Sequence, residues 1–273
     1  MAAFDRQLIV GRLRAEITAG RAIYDALCGS GITAKMAARG VTDLISTFNL
    51  AYYRMQGLSS MAGYLPIGDA NAITIELGER SILNVAGVLG ADPTRDMHRF
   101  VDRLAAAGFS GVMNCPTVAL IDGKFRAALE QTGLGYAHEV DVLGYAHAQG
   151  LFTKAFCTTP DEALAMAEAC VDNIIVHFGN SSGGTIGSTT VTSIDEATSR
   201  ASAVCDALAV HFGDRILTCH GGALETPGDF ETLLAREPRL HGYVGGSSAE
   251  RFPIETFVPE ATRGFKAVRL PAN

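Results

Sequence analysis

Two histidines hold equivalent places in the second half of the chain. The run Asn173–Phe178 (NIIVHF) carries His177 and is followed by Gly179; Arg215–Cys219 (RILTC) is followed at once by His220, Gly221 and Gly222. Both runs have the unbroken apolar character of a strand buried on both faces. In a parallel sheet covered by helices, ligands sit at the carboxyl ends of the strands, where the loops leave an open crevice. An imidazole there can move a proton, polarise a carbonyl or ligate a metal. Glycine beside it lets a ligand approach the backbone.

Other groups gather at similar positions. Asn49 ends a second apolar run, with Tyr53 and Arg54 beyond; Asn114 and Cys115 end a fourth, with Thr117 after Pro116. Glu139 falls in the first turn of a helix opening at Tyr136, as a general base or as a complement to the helix's positive end. Arg54 reads as a carboxylate anchor or a surface cation. Cys115 has the location of a nucleophile or of an inert buried thiol. Lys154, inside FTKAF, is either an amine nucleophile in the interior or a paired lysine. The loops His220-Gly221-Gly222-Ala223 and Gly245-Gly246-Ser247-Ser248 are rich in glycine and aim backbone N–H groups at an anion, or are ordinary tight turns. Residues 179–190 (GNSSGGTIGSTT) suit a lid over the mouth, or a plain surface loop.

Eight strands must position these groups. They are expected at Ala22–Leu27, Asp43–Phe48, Ser81–Val88, Phe109–Cys115, Leu151–Cys157, Asn173–Phe178, Arg215–Cys219 and Leu240–Val244. Helices alternate with them. Asp92-Pro93 should open one that runs to Gly108, with Phe100, Val101, Leu104 and Ala107 on its inner face; Thr159-Pro160 and Thr226-Pro227 open others. Eight strand–helix units in about 250 residues predict an α/β fold, a (β/α)₈ TIM barrel in a single domain spanning 1–273. Residues 1–20 form an N-terminal helix under the barrel, and 249–273 a helical segment interrupted by Pro253 and Pro259. A doubly wound sheet is the alternative, but Gly29-Ser30-Gly31 lacks the third glycine and acidic partner of a dinucleotide site.

The bulk composition excludes other classes. With 22 basic against 29 acidic residues and a net charge of -7, no basic cluster suggests nucleic acid. No apolar stretch reaches membrane-span length, and the start of the chain does not read as a secretory signal. The six cysteines are scattered without a C-x-x-C pair, which points to a reducing, cytoplasmic setting.

Over nearly its whole length, about Ile17 to Val268, the chain resembles the phosphoenolpyruvate hydrolase-like TIM-barrel family, also described as TIM-barrel signal-transduction proteins. A related domain forms the carboxyl half of plant tobamovirus-resistance proteins. The resemblance rests on GSGITAK (29–35), FNLAYYRMQG (48–57), NCPTVALIDGKFR (114–126), LEQTGLGYAHEV (129–140), VHFGNSSGGTIG (176–187), CHGG (219–222) and GSSAERFP (246–253). It implies hydrolysis or lysis of small phospho- or phosphono-substituted oxoacids. The acidic metal-binding cluster of the phosphonopyruvate hydrolase and isocitrate lyase relatives is not found at the corresponding strands. Asn49, Arg54, Asn114, Glu139, His177, His220 and Ser247 match the family's polar positions.

The reading is therefore an enzyme that cleaves a C–C, C–P or C–O bond next to a carbonyl in a small anionic oxoacid. Glu139 would act as base, and His177, His220, Asn114 and Asn49 would stabilise the oxyanion. Arg54, with Gly221, Gly222, Gly246, Ser247 and Ser248, would bind the substrate. In a second version His177, His220 and Glu139 hold a divalent metal, Mg or Zn; otherwise no cofactor is expected. The rival is a non-catalytic barrel that senses a small anion. Self-association into a homo-oligomer is expected through Phe252, Ile254, Phe257 and Val258.

Overall fold

Short parallel strands pair in chain order until the last meets the first. They are β1 (Ile23–Leu27), β2 (Leu44–Thr47), β3 (Val85–Gly87), β4 (Gly111–Met113), β5 (Phe152–Cys157), β6 (Asn173–His177), β7 (Ile216–His220) and β8 (Gly242–Gly245). The result is a closed barrel. The computed structural model describes residues 4–80, 85–190 and 192–270, so residues 81–84 of the expected third strand lie outside it. Helix α1 (Arg6–Thr18) precedes β1 and α2 (Gly31–Arg39) follows it. After β2 come α3 (Asn49–Met55) and α4 (Ala70–Arg80), and after β3 comes α5 (Met97–Ala106). Helices α6 (Gly123–Gln131) and α7 (Tyr136–Ala148) follow β4, and α8 (Pro160–Glu168) follows β5. The circuit ends with α9 (Ile194–Ala209), α10 (Pro227–Arg236) and α11 (Arg251–Ala267). Among the described residues no helix is long and apolar enough to cross a membrane.

Alternation along each strand divides the core in two. In β5, Ala155 and Cys157 join the layer between barrel and helices, while Phe152 and Phe156 join the barrel interior. Ile9 and Leu13 of α1 pack into that interior cluster with Ile23, Leu44 and Phe152, closing the amino end of the barrel. Asp5 caps this helix by accepting from the amides of Gln7 and Leu8, and Arg6 pairs with Asp172 at 2.6 Å.

Lys154 points into the barrel. Its ammonium pairs with Asp25 and lies 2.8 Å from Ser46 Oγ, with all three residues buried. Burial pushes its pKa down to about 7. It is a paired interior lysine and does not line the mouth.

Two helix boundaries differ from expectation. Asp92 does not cap α5, because its carboxylate is taken by Thr94 and by Asn71 Nδ2 at 2.9 Å; Asp96 caps it instead, accepting from the Arg99 amide. Ala107 then falls at the exposed C-cap, while Phe100, Val101 and Leu104 are buried. Neither proline interrupts α11. Pro253 occupies its first turn, where an amide has no intrahelical partner to lose, and Pro259 removes only one backbone bond.

Candidate active site

The strand register decides the site. His177 of β6 and His220 of β7 are direct partners in the parallel ladder, so both imidazoles emerge side by side at the carboxyl end. Their rings lie 4.8 Å apart at 69°, and Phe156 sits edge-on to each at 5.2 and 5.4 Å. They share the wall of a cavity of about 340 Å³ at the barrel mouth.

The two rings are neutral and oppositely polarised. The Gly179 amide donates to His177 Nδ1 at 2.9 Å, so that nitrogen carries a lone pair and Nε2 carries the proton. His220 Nδ1 lies 2.6 Å from the Val244 carbonyl, which can only accept, so Nδ1 carries the proton and Nε2 the lone pair. These partners assign the tautomers. Burial pushes the His177 pKa well down, with His220 and Arg200 adding to the effect. Burial also lowers His220 to about 4; the Val244 bond opposes this, and Arg54 and Lys154 reinforce it. Among the described residues neither Nε2 has a protein hydrogen-bond partner, leaving one donor and one acceptor side by side.

Glycine holds this arrangement. Gly221 and Gly222 adopt φ of 80° and 60°, and the Gly222 amide donates to the Gly179 carbonyl at 3.0 Å. A side chain at Gly221 would run into that same carbonyl. The pair therefore packs the β7 loop onto the turn that fixes His177, and neither residue lines the cavity.

Arg54 lines the cavity but is not a free cation. Its Nε and Nη2 donate to Glu250 Oε2 at 2.9 and 2.6 Å, and Nη2 also donates to the Leu27 carbonyl at 2.7 Å. The other oxygen of Glu250 accepts from the Gly29 amide and Thr33 Oγ1, both at 2.6 Å. Only Nη1 remains loosely engaged, 3.3 Å from Ser60 Oγ. Gly246 and Ser247 line the same cavity, whereas Ser248 lines a separate hollow with Tyr24, Phe230 and Tyr243.

Glu139 and Asn114 are elsewhere. Glu139 is fully buried; it accepts from Asn114 Nδ2 (2.7 Å), Thr117 Oγ1 (2.6 Å) and the Val118 amide (2.7 Å). Burial raises its pKa to about 7 against these bonds. Asn114 also ties β4 to β5, donating to the Phe156 carbonyl at 3.1 Å and accepting from its amide at 2.6 Å. Neither residue lines the mouth, so they form a brace behind it. Asn49 is likewise buried off the cavity and donates to the Gly63 carbonyl at 2.9 Å. Cys115 does line the cavity, with its thiol held neutral by burial.

The metal trio His177, His220 and Glu139 does not assemble. Among the described residues no group of three or more His, Cys, Asp or Glu side chains could hold a metal ion. Magnesium needs oxygen ligands, chiefly carboxylates, and none lines this cavity. For zinc, His220 offers a lone pair, but the His177 nitrogen left free carries a proton. The residues present do not fit either ion.

Arg251 also lines the cavity, which composition and spacing did not reveal. Only 4% exposed, it donates to the carbonyls of Gly183 (2.6 Å) and Ser182 (3.0 Å) in the 179–190 loop. Glu255, one turn on, accepts from the Thr185 amide at 3.1 Å. The loop is thus pinned across the mouth by the first turns of α11. The available signal was an arginine directly after the GSSAE loop, but most surface helices carry such residues.

The chain is thus a closed (β/α)₈ barrel with a cavity at the carboxyl ends of its strands, lined on one wall by His177 and His220. The chain belongs to the phosphoenolpyruvate hydrolase-like family, which it matches over residues 8–268. It is 40% identical over 271 residues to the ToMV resistance protein Tm-1(GCR237) of Solanum lycopersicum, across 97% of this chain and 36% of that protein. It therefore spans about a third of that relative's length. In fold it is similar to a 2,3-dimethylmalate lyase of the PEP mutase/isocitrate lyase superfamily (TM-score 0.62, 14% identity, 97% of this chain and 89% of that one). It is also similar to a phosphonopyruvate hydrolase solved with oxalate and Mg++ (TM-score 0.60, 16% identity, 97% and 92%).

Proposed function

We propose that the protein is an enzyme that cleaves a bond next to the carbonyl of a small anionic oxoacid. The observation that carries this is the opposed polarity of His177 and His220, one Nε2 donating and its neighbour accepting, in a cavity with no carboxylate on its wall among the described residues. The names of the similar folds, a phosphonopyruvate hydrolase and a 2,3-dimethylmalate lyase, support the substrate class.

In this reading His220 Nε2 takes the proton from an attacking water or a substrate hydroxyl. The His177 Nε2–H faces the oxygen on which negative charge develops, so it stabilises the transition state more than the ground state. Arg54 Nη1 and Ser247 receive the carboxylate, and Glu250 fixes the angle of the guanidinium. The lid pinned by Arg251 keeps water out. Self-association accompanies this reading: α11 presents Phe257 and Val258, 67% and 57% exposed, with Ile254, to a second copy. Phe252 is half-buried beneath the Arg251 guanidinium and is not part of that face.

The test is turnover of a panel of 2-oxo, phosphono and 2-hydroxy acids, followed by mass spectrometry, with His220→Asn alongside. Turnover that His220→Asn abolishes supports the proposal. Binding without turnover of any member would leave the anion sensor as the better reading.

A further inference from the structure

Resting on that reading of the mouth, we infer that the oxoacid it takes carries an apolar substituent of several carbons. The cavity has two chemically distinct sides. On one, a methyl group added at Gly246 would lie 3.2 Å from His220 Cε1, 3.6 Å from Arg54 Nη1 and 3.8 Å from Leu27 Cδ1. His220 and the guanidinium thus both stand beside Gly246, and there Arg54 Nη1 with the Ser247 hydroxyl offers the donors a carboxylate needs.

The strand order places the loops after β2 and β4 across the barrel from β6 to β8. On those loops Leu50, Met61, Tyr64 and Leu120 build an apolar wall, and Arg54 lines the cavity from the same helix α3 as Leu50. The polar groups behind Tyr64 are already engaged, and Ser59 and Ser60 line the cavity beside Met61. The Tyr64 hydroxyl accepts from the Thr117 amide at 3.4 Å, and Glu139, Asn114 and Thr117 bond one another behind it. A hydrophilic ligand would find few partners there. A three-carbon oxoacid has six heavy atoms, whereas 340 Å³ equals the liquid volume of roughly ten waters at about 30 Å³ each. Bound at Gly246, such an acid would leave the apolar wall wet. An alkyl or aryl group on the same acid would cover it and release that water.

The experiment is calorimetric titration of the 2-oxoacid series from pyruvate to 2-oxooctanoate, with phenylpyruvate, into the full chain and into Met61→Gln and Leu120→Gln. Both positions are partly exposed, so these changes spare the core. Affinity should rise about fourfold per added methylene, the equivalent of ~0.8 kcal/mol, until the wall is covered. The glutamine variants should flatten that slope. Affinity that is flat or falls with chain length while pyruvate still binds overturns the inference and leaves the site reading standing. A slope unchanged in both variants puts the tail elsewhere and overturns it too. No binding by any member to a folded protein overturns the oxoacid reading itself, and the inference with it.

Discussion

Two regions around the barrel mouth bury polar residues and put them to opposite use. On the β4 side, Asn114, Thr117 and Glu139 satisfy one another and the backbone around them. On the β6–β7 side, each histidine satisfies one nitrogen internally and keeps the other for the cavity. A buried polar group does chemistry when its partners leave part of it unsatisfied; when they saturate it, it becomes scaffold.

The largest effect should separate the two sides at once. His220→Asn is expected to lower kcat/KM by roughly 10²- to 10⁴-fold with little change in melting temperature. Glu139→Ala should do the reverse, losing about 3 kcal/mol of stability as three donors lose their acceptor. Steady-state kinetics and chemical denaturation of both variants check this. A stable Glu139→Ala enzyme without activity would merge the two sides into one site.

The pH–rate profile sharpens the contrast. With His220 at about 4, kcat/KM should hold from neutrality down and fall only as His220 protonates. An acid limb near pH 7 that vanishes in Glu139→Gln would hand the base role to Glu139, whose pKa lies there.

Stability against pH should split as well. Glu139 is raised from 4.5 to about 7, so its contribution is full below about pH 4.5 and is lost as pH rises through 7. His220 is lowered from 6.5 to about 4, so its contribution is full above about pH 6.5 and is lost as pH falls through 4. Each titration changes stability by ~3 kcal/mol across its own pH window, and between them the slopes oppose. Glu139→Gln should therefore melt several degrees lower on acidification than the parent loses, and His220→Asn should lose less than the parent. Parallel melting curves would refute the assignment.

A smaller effect tests the lid. Arg251→Lys keeps the charge but not the fork that holds two carbonyls, so KM should rise severalfold while kcat changes little. An unchanged KM would show that the loop does not guard the mouth.

Much of this was legible in the chain. Period and punctuation located the strands, and α7 opens at Tyr136 as expected. Local caps were less secure, because Asp92 and Asp96 look alike until Asn71 claims one of them. The histidines were found because strand ends are local signals. What sequence could not reveal was pairing at a distance. Arg54 gave no sign of Glu250, which lies 196 residues away, and Glu139 gave no sign of its donors, which sit on another loop.

Helix α11 is exposed along most of its length, yet its first residue is one of the most buried arginines in the protein. Through Arg251 and Glu255 that outer rod grips the cover of the cavity. The entrance is thus mechanically continuous with the outer surface, and whatever grasps the far end of the rod holds a handle on the door.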